Sequence, residues 1–142
     1  MVGIIFSIIA GAAMSFQGVM NTRLGEKIGI YEANAFVQFI GFLLSVVLVL
    51  IMGGGDLKGI IQTDKWYLLG GVLAIVITLS VMLGIGNLSP AIAIAIILIS
   101  QLIVAAVIDA FGILGSEKVV FHWTKFVGVG LMIGGVILFK LK

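Results

Sequence analysis

Residues 90–111 read PAIAIAIILISQLIVAAVIDAF, an unbroken apolar run from Pro90 to Phe111 with one ionisable side chain, Asp109. A hydrocarbon core about 30 Å thick is crossed by about 20 helical residues rising 1.5 Å each, and this run has that length. Its start carries its own punctuation, because Ser89 can cap a helix whose first position suits Pro90. Working outward, four more stretches have the same character. They run from Val2 to about Thr22, from about Glu32 to Met52, from Trp66 to about Gly86, and from about Trp123 to Phe139. The expected fold class is an all-α membrane protein, a single domain over residues 1–142 with five transmembrane helices.

The breaks between these runs are polar or glycine-rich. Arg23 to Tyr31 holds Arg23, Glu26, Lys27 and two glycines, and Gly53-Gly54-Gly55-Asp56 is a helix stop followed by a turn. Asn87-Leu88-Ser89-Pro90 is the tightest link, so helices three and four are expected as an antiparallel hairpin. Gly115 to His122 forms the last loop. Trp66, Tyr67 and Trp123 stand at helix starts, where amphipathic rings favour the headgroup level. No Lys or Arg precedes the first apolar run, which is expected to stay as a helix rather than leave as a signal peptide.

Composition agrees. Of the 142 residues, 62% are hydrophobic and 10% charged, against roughly 45–50% apolar and about 25% charged in soluble domains. The 20 glycines suit close helix packing in lipid. The net charge of +2 is spread singly or in loose pairs, so no nucleic-acid partner is expected. With no Cys and one His, His122, there is neither a thiolate metal site nor a catalytic constellation. Gly53-Gly54-Gly55 lacks the Lys-Ser/Thr of a nucleotide loop. The reading is a chain that is not an enzyme and takes no metal or cofactor.

The basic residues divide evenly across the bilayer. The side of the amino terminus, side A, receives Lys58, Lys65, Lys118 and Lys125, and the opposite side B receives Arg23, Lys27, Lys140 and Lys142. Orientation is normally set by an asymmetry in such a count. Its absence predicts insertion both ways up, and two inverted copies can pair about an axis in the membrane plane to form a ten-helix inverted repeat.

Gln17-Gly18-Val19-Met20-Asn21-Thr22-Arg23-Leu24, Gly70-Gly71, Ser100-Gln101 and Ile108-Asp109-Ala110-Phe111-Gly112, in a five-helix layout, resemble the YdcZ-like family of the drug/metabolite transporter (DMT) superfamily. The resemblance spans nearly the whole chain. It implies a bacterial inner-membrane protein working as an antiparallel homodimer, a heterodimer or a fused two-domain chain, and it names no ligand. The four-helix small multidrug resistance transporters offer a contrast, because they carry an essential Glu midway along the first helix. No acidic residue stands in the first helix here, which argues against that mechanism of exporting hydrophobic cations.

Polar groups are costly in hydrocarbon and are expected to face other helices or a cavity. At 100° per residue, Asn34, Gln38, Gly41 and Ser45 fall within about 60° of one another, and Gln17, Gly18 and Asn21 share a face with Ser7. Gln17 and Gln38 lie at similar depth toward side B, and Gln101 lies near the centre of helix four. Gln17, Asn21, Asn34, Gln38 and Gln101 are therefore the candidate substrate-binding residues, since amides donate and accept. Interhelical hydrogen bonds, worth around 1 kcal/mol each, are the structural alternative.

Asp109 lies roughly 12 Å from the middle of its helix toward side A. It is either an ion or proton site or a carboxylate reaching headgroup water, and in an inverted partner Asn21 and Asn34 would reach this same depth. The repeat Gly3, Ser7, Gly11, Ser15 is expected as a close-packing face, and Gly130 and Gly134 as dimer packing. Lys140 and Lys142 are expected to anchor the last helix at the surface. The function expected is secondary transport of a small polar or cationic solute by alternating access, in an antiparallel homodimer within a lipid bilayer. A passive channel of the same dual topology, or an accessory structural subunit, is the alternative.

Overall fold

The computed structural model describes residues 1–119 and 122–141. Its described residues form five helices long and apolar enough to cross a membrane: α1 (Val2–Ile28), α2 (Ile30–Met52), α3 (Gly70–Asn87), α4 (Pro90–Phe111) and α5 (Trp123–Lys140). Lys142 lies outside the described residues.

The first helix departs from expectation. The charges from Arg23 onward end the apolar stretch but not the helix, which runs on to Ile28. No breaker stands before Gly29. Arg23 Nη1 pairs with Glu26 Oε2 at 2.9 Å across one turn, and Lys27 sits in the last turn, where a cation complements the helix dipole. The expected link from Arg23 to Tyr31 thus shrinks to Gly29 alone. Its φ of 100° is one that an L side chain rarely adopts, and it serves both helices. Its N–H donates to Gly25 O at 3.0 Å, and its carbonyl accepts from Ala33 N at 3.0 Å.

The other boundaries fall close to the sequence reading. Gly53 stops α2 in an extended conformation. Asp56 accepts from Lys58 N at 2.9 Å and caps a 3-10 turn, Leu57–Ile61. A second 3-10 turn, Lys65–Leu69, leads into α3, so Trp66 and Tyr67 lie in a tighter entry turn rather than in the α-helix. Ser89 Oγ accepts from Ile92 N at 3.4 Å, and Pro90 opens α4 as expected. Gly112 ends α4 at φ 64°. The loop behind it folds back, with Ser116 Oγ donating to Ile113 O at 2.9 Å and Val119 N donating to Asp109 O at 2.9 Å.

The chain divides into two compact units, Met1–Asn87 and Leu88–Lys142. In the first, α1 packs on α2 and α3, and α2 packs on α3. Its buried residues are Gly18, Asn21 and Thr22 of α1, Ala33 and Asn34 of α2, and Met82 and Ile85 of α3. All belong to the late half of α1, the start of α2 and the end of α3, which the single-residue turn at Gly29 brings to one end of the unit. Toward the other end Ile4, Ile8, Leu48 and Ile51 are exposed. Such a surface is tolerable where hydrocarbon, not water, is the solvent. In the second unit α4 packs on α5, and among its described residues Ala93 is the buried one.

Close approach at the packed end depends on Gly18. A Cβ there would stand 2.8 Å from Ile85 Cδ1 and 2.9 Å from Val81 Cγ1, so α1 and α3 meet where α1 has no side chain.

Candidate polar site in the first unit

Two of the five amide residues, Asn21 and Asn34, are buried, each 7% exposed. Gln38, one turn beyond Asn34 on α2, is half-buried. These three lie on the pair of helices joined at Gly29. Gln17 is exposed and stays out of this packing, although it shares a helix with Asn21. The rest of the α2 stripe opens progressively, since Gly41 and Ser45 are exposed and Ser45 Oγ donates to Gly41 O at 2.8 Å.

Sequence reasoning passed over Thr22, taken as the end of its helix. It is buried beside Asn21, and its Oγ1 donates to Gly18 O at 2.8 Å. Its hydroxyl hydrogen is therefore spent on its own helix, leaving oxygen acceptor capacity. The spacing Gly18, Asn21, Thr22, Gly25 is a three-and-four repeat and would have marked the face. A groove of about 260 Å³ lined by Thr22, Gly25, Glu26, Met82, Gly86 and Asn87 opens at the same end.

The amide chemistry is incomplete. Asn34 Oδ1 and Gln38 Nε2 are buried with no hydrogen-bond partner among the described residues. Buried polar atoms are nearly always paired, so each such exception needs a reason. Among the described residues no carboxylate is buried with them. Glu26 is exposed and paired to Arg23, and Glu32 is exposed in the first turn of α2. The three amides form a neutral polar patch within an apolar three-helix unit, and Glu26 borders the groove at the same end.

In the second unit Gln101 is exposed on α4 and Asp109 is half-buried in its last turn. Gly130 is exposed and Gly134 half-buried on α5, and a Cβ at either would meet nothing within 4 Å. The same holds at Gly3 and Gly11, so the expected packing face along early α1 is uncovered. Ser7 and Ser15 turn their hydroxyls onto Gly3 O and Gly11 O at 2.9 and 3.0 Å. Among the described residues no group of three His, Cys, Asp or Glu side chains could hold a metal ion.

No curated protein and no solved structure gives a significant match to the chain. A family model does, over residues 2–138, and its description is "Putative inner membrane exporter, YdcZ". The match covers nearly all of the sequence and agrees with five membrane-crossing helices, which supports a multi-pass inner-membrane location and a transport role rather than an enzymatic one. The chain therefore belongs to the YdcZ family of inner-membrane exporters within the DMT superfamily.

Proposed function

We propose that this chain is one half of a secondary exporter, in which two copies in opposite orientations move a small polar or cationic solute by alternating access. The observation that carries the transport reading is the set of amides Asn21, Asn34 and Gln38 inside the packed end of α1–α3. Two of its atoms have no hydrogen-bond partner among the described residues. A purely structural role would predict amides paired to other helices. The pairing of inverted copies is supported by the even division of basic residues between the two sides. It also gives a role to the uncovered glycines on α5, Gly130 and Gly134, where close backbone approach costs no side-chain clash. Gln17 and Gln101 are exposed, which is consistent with positions that face the path between copies.

The test is flux. Full-length chain reconstituted in vesicles should give saturable solute movement coupled to an imposed gradient. Single-channel or macroscopic ion current without saturation would favour a channel instead. No movement of any solute from a panel of polar and cationic compounds would favour an accessory subunit.

A further inference from the structure

We propose that Asn34 Oδ1 and Gln38 Nε2 together bind one neutral group that donates and accepts at once, a hydroxyl or a carboxamide. The solute is then an uncharged hydrogen-bonding molecule rather than a cation. This rests on the transporter reading and narrows its solute class.

The two atoms are complementary in kind. Asn34 Oδ1 is an acceptor, Gln38 Nε2 is a donor, and both are buried without partners among the described residues. Residues four apart stand one above the other on a helix face, so the two amides present a donor and an acceptor about one turn apart. A hydroxyl can accept from Gln38 and donate to Asn34. A carboxamide does the same with its carbonyl and its N–H. Each interaction would satisfy an atom whose isolation is otherwise a standing cost.

Charge decides between neutral and ionic solutes. The buried residues of this unit are Gly18, Asn21, Thr22, Ala33, Asn34, Met82 and Ile85, none of them ionisable. The carboxylates at the same end, Glu26 and Glu32, are exposed, and Glu26 is held by Arg23. A cation seated against Asn34 would have no counter-charge, and an unpaired charge in such surroundings costs far more than an unpaired amide. An anion fares no better, because Arg23 and Lys27 are exposed as well.

The test uses the full-length chain in detergent and follows its thermal unfolding with xylitol, nicotinamide or tetraethylammonium. A bound probe raises the midpoint by mass action. One of the two neutral probes should stabilise the wild type, and tetraethylammonium should not. Asn34→Leu and Gln38→Leu should each weaken the neutral probe at least tenfold, whereas Thr63→Ala in the loop should leave it unchanged. Should a Leu variant fail to fold, the near-isosteric Gln38→Glu carries the test, because it replaces the donor Nε2 by an acceptor and should exchange the neutral preference for tetraethylammonium.

Stabilisation of the wild type by tetraethylammonium alone would overturn the proposal. So would a neutral-probe shift that survives in both Leu variants, or no shift with any probe, the outcome if ordered water satisfies the pair. Saturable vesicle uptake of tetraethylammonium by the wild type would leave the transporter reading standing and remove the neutral-solute assignment. Intact neutral-probe binding with no gradient-driven flux would remove the transporter reading and leave the binding pair.

Discussion

Gly18 and Ile85 hold α1 against α3: a methyl group added at Gly18 would lie 2.8 Å from Ile85 Cδ1, inside van der Waals contact. The second neighbour, Val81 Cγ1 at 2.9 Å, belongs to a branched side chain with little freedom to move aside. Gly18→Ala should therefore destabilise the folded chain by about 1–3 kcal/mol through overpacking. Gly11→Ala, where nothing lies within 4 Å, should be neutral. Gly25→Ala falls between, because its near neighbour at 2.7 Å is the flexible tip of Met82. Reversible unfolding in mixed detergent checks the order, and equal losses at positions 11 and 18 would contradict the packing.

Gly29 supplies a different kind of requirement. At φ 100° it forms the entire link between α1 and α2, and the Glu32 side chain occupies the place of its missing Cβ. Gly29→Ala should cost about 1–3 kcal/mol from backbone strain alone, because φ 100° with ψ 145° is an extended positive-φ conformation that is essentially glycine-only. Gly29→Val should cost more. Retained stability in both variants would mean that the turn is not held as described.

Asn34 should trade stability for function. An unpartnered buried amide costs about 1–3 kcal/mol, and Leu fills a similar volume without that cost. Asn34→Leu should melt at or above the wild-type temperature while losing solute flux. A loss of more than about 1 kcal/mol would instead assign the amide to helix packing.

Asp109 joins the loop after α4 through its backbone: its carbonyl accepts from Val119 N at 2.9 Å. Asp109→Asn should fold and melt like the wild type, within about 0.5 kcal/mol, as most half-buried polar exchanges away from a network do. Flux measured across a range of pH in this variant then separates the two readings of the carboxylate. A lost pH dependence assigns the proton site to Asp109, and an unchanged profile leaves it a headgroup contact.

Helix number and type were legible in the sequence because each span is long, apolar and bounded by glycine, proline or charge. The end of α1 was not, because Arg23, Glu26 and Lys27 terminate a membrane segment without terminating a helix. Helical periodicity explains most of what happened at the site. Asn21, Thr22 and Gly25 cluster around the direction of Gly18, whereas Gln17 points about 100° away and is exposed. Ser7 and Gly11 do share the direction of Gly18, yet they lie at the unpacked end, where α2 and α3 do not cover them. Periodicity gives the face of a helix, and only the arrangement of its neighbours gives how far along that face is covered.

The central claim is that one chain inserts both ways up and pairs with its inverse, and reporter orientation tests it most directly. Fused to the carboxy terminus, a reporter active only in the cytoplasm and one active only in the periplasm should both signal, in comparable amounts. Two lysines added at either terminus should drive the population to one orientation and abolish flux, since lone-orientation chains have no inverted partner. A signal from only one reporter on the unmodified chain would contradict the account.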